Sequence, residues 1–120
     1  MTWRSKFAVA IGGLLKAFRE QNSFWVHIAV TICVIALRSL LRIELWRWCV
    51  LSIVIGSVIA AELFNTSIEA LVKAVHPEQD ERVGHALDVA AAAVLVLSLT
   101  AVVVGLLVLS QPLLKYLQLV

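Results

Sequence analysis

From Val89 to Leu114 the chain runs for 26 residues without one charged side chain. A helix of that length is about 39 Å long, more than the ~30 Å hydrocarbon core of a bilayer. A second stretch, 21–37, holds no Asp, Glu, Lys or Arg, and a third, 48–61, is also uncharged. Composition agrees: 62% of the 120 residues are hydrophobic and 15% charged, with a mean hydropathy of +0.97. A soluble domain carries roughly 45–50% and ~25%. Such a chain cannot face water on all sides, which excludes a soluble globular enzyme. Disorder, collagen and a disulfide scaffold are excluded on the same figures. The expectation is an all-α membrane protein, one domain over 1–120 with three crossings.

Ten Lys and Arg oppose eight Asp and Glu, a net charge of +2, and no basic run is present that would hold nucleic acid. Cys33 and Cys49 lie far apart in apolar stretches with no metal-ligand spacing, so they read as packing residues.

Near the N-terminus, Trp3, Phe7, Ile11, Leu14, Leu15 and Phe18 fall on one helical face, with Arg4, Lys16 and Arg19 largely elsewhere. This spacing predicts an amphipathic helix over about 3–20, lying in the membrane interface or packed on the protein itself. Membrane helices are expected over about 24–41, 45–75 and 84–111. Between the first two, RIELWRW (42–48) has the Trp and Arg composition of an interfacial turn. His76-Pro77 stops the second, because proline disfavours helix at its predecessor. HPEQDERVG (76–84) then reads as a polar loop, and Pro112 as the end or a bend of the last helix. Placing the N-terminus inside puts Arg4, Lys6, Lys16, Arg19, Lys73 and Arg82 on that side. Arg38, Arg42, Arg47 and Lys115 fall on the other, so cation counting favours a cytoplasmic N-terminus.

Packing does not account for the acidic residues of the second span. Glu62 follows fourteen uncharged residues, and Asn65 and Glu69 follow it at spacings of 3 and 4, which puts all three on one stripe. A carboxylate within a span costs at least a few kcal/mol and is a functional candidate by default. The two carboxylates lie about 10 Å apart along the axis, too far to share one proton. They suit a division of labour in which one binds a metal and the other takes a proton from a hydroxyl. Asp88, at the start of the third span, lies at the same end and can join them; Thr66 and Ser67 widen the patch. The bland alternative is that Glu62 and Glu69 pair with Lys73, Arg82 or a histidine. His27 reads as a packed or interfacial residue, and His85 as a loop residue able to touch phosphate. Nucleotide-binding glycine loops, HExxH and GxSxG are all absent.

The run ELFNTSIEALV (62–72), followed by ALDVAAAAVLV (86–96), resembles the small prokaryotic integral-membrane diacylglycerol kinases and the similar undecaprenol kinases. Their hallmark is Glu-x-x-Asn-[Ser/Thr]-[Ala/Ser]-Ile-Glu on the second membrane helix, and FWVH (24–27) is similar to the family's Phe-Arg-Ile-His. The resemblance implies a homotrimer of protomers with one surface helix and three membrane helices, in the cytoplasmic (inner) membrane. It implies MgATP as phosphate donor and a lipid with a primary hydroxyl as acceptor. By position Glu62 would be the general base, Glu69 a ligand of Mg²⁺, and Asn65 an orienting group. Asp88 would match the aspartate that opens the third helix. The departures are specific. Leu87 stands where the family has a phosphate-binding lysine, Lys73 where an aspartate is common, and the loop before Asp88 is longer by about four residues. Gln21 falls where a metal-binding glutamate is expected, with Glu20 one position away as the substitute ligand. Lys73, Arg82 or His85 would then replace the missing cation.

The resemblance implies an ATP- and Mg²⁺-dependent kinase converting diacylglycerol to phosphatidic acid. Undecaprenol is the alternative acceptor, since apolar walls discriminate weakly between apolar tails. A catalytically impaired member with a structural or regulatory role is the reading from another class, prompted by Leu87 and Gln21. An ion-conducting bundle using Glu62 and Glu69 as a relay is a third.

Overall fold

A computed structural model describes residues 2–20 and 22–118. Four helices follow in order: α1 (Trp3–Glu20), α2 (Ser23–Leu41), α3 (Leu45–Val75) and α4 (Glu81–Tyr116). The last three are long and apolar enough to cross a membrane. Their connections are short, so α2, α3 and α4 run alternately up and down. One end of the molecule carries the junction of α1 with α2 and the loop 76–80; the other carries residues 42–44 and Tyr116. The longest dimension, 58 Å, exceeds a ~30 Å hydrocarbon core, so the polar ends lie outside it.

The helix pair α3 and α4 is the main packing unit, and α2 leans on it more loosely. Val34, Leu51 and Val108 form the buried cluster at their meeting, with Trp48, Val104 and Leu109 against it. Little else is buried. Val102, Val103, Leu106 and Leu107 on one α4 flank are all more than half exposed, a continuous aliphatic surface whose natural solvent is lipid. α1 touches the rest through its last turn, where Ala17 is buried. Trp3, Phe7, Ile11 and Leu15 stay uncovered by the protein.

Two boundaries of α4 differ from the sequence reading. The helix begins at Glu81 within the stretch expected as loop, because Asp80 caps it. The Asp80 carboxylate accepts from the backbone N–H of Arg82 at 2.8 Å and of Val83 at 3.4 Å, and Glu81 complements the helix dipole. The helix also continues past Pro112 to Tyr116. Proline has no N–H, so the carbonyl of Val108, four residues back, loses its backbone donor. Arg47 supplies the replacement: one guanidinium nitrogen donates to Val108 O at 2.6 Å and the other to Gln111 Oε1 at 2.5 Å.

Arg47 is therefore a buried residue, 7% exposed, and not one of the interfacial cations among which cation counting placed it. Its Nε donates to Glu44 Oε1 at 3.1 Å, and the guanidinium stacks 4.4 Å from the centre of the Trp46 ring. Glu44 also accepts from Trp46 Nε1 at 2.8 Å. Those two hydrogen bonds hold the Glu44 carboxyl below its ordinary value of 4.5. Arg42 ends α2 in the left-handed region at φ 52°, its N–H returning to Arg38 O. A non-glycine residue there carries a modest steric cost, accepted to reverse the chain in three residues.

Candidate active site

The α3 stripe forms as its spacing requires. Asn65 donates through Nδ2 to Glu69 Oε1 at 3.1 Å, one turn further along. The other end of the same amide, Oδ1, is buried and has no hydrogen-bond partner among the described residues. A buried acceptor left this way costs about 1–3 kcal/mol. Folding therefore holds a carboxylate and a naked amide oxygen side by side.

Glu62 sits one turn closer to the middle of the span, its side chain 14% exposed, with Oε2 3.8 Å from His27 Nε2 on α2. That distance exceeds a hydrogen bond, so the contact is electrostatic and depends on the imidazole being protonated. The ring is set from behind by Phe24, which is fully buried. Phe24 lies edge-on to His27 at 6.2 Å and to Phe18 of α1 at 4.8 Å. Three helices thus converge at Glu62, and α1 is anchored there by Phe18. The sequence reading left His27 as a packed residue. FWVH carried the signal, but its partner lies 35 positions away in the chain.

Depth gives the stripe its chemical sense. Counted from the Trp46 and Trp48 belt, Glu62 lies roughly 21–24 Å along α3 and Glu69 roughly 32–35 Å. With ~30 Å of hydrocarbon, the two carboxylates straddle its far boundary, the depth at which a lipid carries its headgroup.

The remaining candidates divide. Lys73, His76, Asp80, Gly84 and Leu87 share an open cavity of about 730 Å³ between the ends of α3 and α4. Lys73 and Leu87 thus belong to one space. Arg82 points outward, 94% exposed, with Nε 3.9 Å from Asp80 Oδ1. His85 and Asp88 are exposed on α4, and Asp88 forms no hydrogen bond or ion pair with a described residue. Glu20 ends α1, exposed, and Gln21 lies outside the described residues. His76, unassigned by the sequence reading, bridges the loop: Nδ1 is 3.6 Å from Glu78 and Nε2 3.8 Å from Asp80.

Among the described residues no three His, Cys, Asp or Glu side chains converge on one point. The described residues of one chain thus form no complete protein cage for a metal, but Mg²⁺ seldom uses one. It takes one or two carboxylates and fills its octahedron with water and substrate phosphates. The Glu69 carboxylate beside the unpartnered Asn65 Oδ1 is an all-oxygen donor pair of that kind.

A family model described as prokaryotic diacylglycerol kinase matches residues 8–109. Among curated proteins, a diacylglycerol kinase of Synechocystis sp. is 36% identical over 110 residues, 91% of this chain and 63% of that protein. The chain thus spans less than two thirds of that relative. An undecaprenol kinase of Bacillus subtilis is 28% identical over 102 residues, 85% of this chain and 83% of that protein. No solved structure matches. With a match that takes in α2, α3 and every candidate residue from Glu20 to Asp88, the chain belongs to the prokaryotic diacylglycerol kinase family.

Proposed function

We propose that this chain is a Mg²⁺- and ATP-dependent lipid kinase that phosphorylates the primary hydroxyl of diacylglycerol at the membrane surface. The observation that carries the reading is the polar stripe of α3, with Glu62 held near His27 and the buried Asn65 Oδ1 without a partner beside Glu69. In the reaction Glu62 accepts the proton of the lipid hydroxyl. The freed oxygen bonds to the γ-phosphorus, and the bond from that phosphorus to the β–γ bridging oxygen breaks to leave ADP. Phosphoryl transfer asks a protein mainly for positioning and charge neutralisation. His27 orients the Glu62 carboxylate and stabilises its ionised form whenever the imidazole is protonated. Glu69 and Asn65, with Glu20 as a further ligand, hold Mg²⁺, which neutralises phosphate charge when bound. Lys73 is the best replacement for the cation missing at Leu87, since both line one cavity. Arg82, His85 and Asp88 serve the nucleotide from the rim.

The same reading places the end with α1 in the cytoplasm of an inner-membrane protein. α1 lies in the interface with its uncovered Trp3–Leu15 face in the acyl boundary. A homotrimer gives the thin three-helix sheet neighbours to cover its polar stripe. Undecaprenol is the competing acceptor, favoured by the name of the Bacillus relative. The test is transfer of labelled phosphate from MgATP to diacylglycerol and to undecaprenol in parallel. Transfer to diacylglycerol supports the proposal, and transfer to undecaprenol alone reassigns the substrate. Transfer to neither from a folded oligomer makes the chain an impaired member of its family.

A further inference from the structure

At the end of the helices away from Glu62, α2 stands off from α3 and α4 and leaves an apolar groove of about 680 Å³. Val34, Leu37, Leu51, Val102, Gly105 and Leu106 are among its walls. Its mouth is a cavity of about 470 Å³ lined by Arg42, Glu44, Gln111, Lys115 and Tyr116. Leu41 borders both, so the aliphatic trough opens directly into the polar mouth. The charges of the mouth are unbalanced. Glu44 is already matched: Trp46 and Arg47 occupy its two oxygens. The side chains of Arg42 and Lys115 form no ion pair or hydrogen bond with a described residue, and Lys115 acts on Glu44 only through space. Gln111 gives its oxygen to Arg47, which leaves its amide N–H groups directed to other acceptors, and Tyr116 adds a hydroxyl.

Two cations without a hydrogen-bonded counter-ion at the level of the headgroups, above an acyl-sized trough, match one chemistry. We infer that the groove binds a phosphate-bearing glycerolipid as a bound component distinct from the substrate. Arg42 and Lys115 take the phosphodiester, with Gln111 and Tyr116 donating to it, and one acyl chain runs down past Gly105. A helix from a second copy would fill the trough equally well but would press Arg42 and Lys115 against an apolar surface, at a desolvation cost. A phosphate neutralises both. The position lies about 26 Å along α3 from Glu62, from Leu45 at the mouth, so the ligand here cannot reach the candidate base.

Native mass spectrometry of the detergent-purified protein with dioleoyl phosphatidylglycerol tests the site, with glycerol 3-phosphate as the chainless probe. Wild type and Glu62→Gln should each retain the lipid through detergent exchange. Arg42→Gln with Lys115→Gln should lose retention at least about tenfold, because both anion contacts go. Gly105→Leu should weaken it similarly by filling the trough. A Cβ at Gly105 meets nothing within 4 Å, and helical circular dichroism equal to wild type in this variant separates lost binding from lost structure. Retention unchanged in both variants overturns the inference and makes the lipid annular. Binding of glycerol 3-phosphate as tight as that of the lipid also overturns it.

Discussion

The two ends of α3 each place charge and amide groups in an apolar helix, and they treat them oppositely. At Arg47 each guanidinium nitrogen has an acceptor. The guanidinium meets Glu44, Gln111 and the carbonyl orphaned by Pro112, and Trp46 covers its face. Along the Glu62–Glu69 stripe one acceptor is unanswered: Asn65 Oδ1 is buried with no hydrogen-bond partner among the described residues. In hydrocarbon an unanswered polar group costs several kcal/mol. The contrast is between Arg47, whose donors are all answered, and the Asn65 oxygen, which has no partner among the described residues. On the proposed reading the Arg47 network is architecture and the Glu62–Glu69 stripe is the site.

That contrast breaks most sharply at Glu62. Glu62→Gln keeps size and hydrogen bonding but cannot take the proton, so phosphate transfer should fall about 10²–10⁴-fold. Its helical circular dichroism should stay that of wild type. A variant retaining more than about a tenth of wild-type turnover removes Glu62 from the base role. Glu69→Gln should act on the metal instead, raising the Mg²⁺ concentration for half-maximal activity about tenfold or more. An unchanged Mg²⁺ dependence assigns the metal elsewhere.

The closed end predicts stability effects. Arg47→Ala leaves the Val108 carbonyl, Glu44 and Gln111 without their donor and should cost about 2–4 kcal/mol of unfolding free energy. Activity per folded molecule should be unaffected. Pro112→Ala restores a backbone N–H to Val108. The double variant should therefore be less destabilised than the sum of the singles, by on the order of 1 kcal/mol. Strict additivity in that cycle would sever Arg47 from the proline. The smallest effect belongs to Glu44, whose folded carboxyl is held below 4.5 by Trp46 and Arg47. A depressed carboxyl stabilises the fold above the unfolded value, and that contribution is lost as pH falls through the folded one. The stability gap between wild type and Glu44→Gln should thus be steady above about pH 5 and close below 4.5. A gap that stays constant down to pH 3 discounts the interaction.

The asymmetry between the ends also explains what was legible in the sequence. Glu62, Asn65 and Glu69 announce themselves because they share one helical face within eight positions, a local pattern. The spans were equally plain from length and charge-free runs, with α2 and α3 ending where Arg42 and His76-Pro77 stop them. Arg47 looked like an interfacial cation because its partners, Val108 and Gln111, are 61 and 64 positions away. The same distance in sequence hid the reason α4 survives Pro112. The start of α4 was misjudged on composition: 76–84 is polar, yet Asp80 followed by Glu81 is an N-terminal helix signal inside it. The His27–Glu62 approach is tertiary and had no local mark beyond FWVH itself.

Asn65→Ala distinguishes the two ends in one experiment, thermal unfolding with and without Mg²⁺ and an ATP analogue that cannot give up its γ-phosphate. If α3 keeps Asn65 Oδ1 open for a ligand, the variant should unfold within a degree or two of wild type when unliganded, because removing an unanswered acceptor offsets the lost bond to Glu69. It should also lose most of the ligand-induced rise that wild type shows. A variant that unfolds as early as Arg47→Ala, while gaining as much from the nucleotide as wild type, would make this end architecture too.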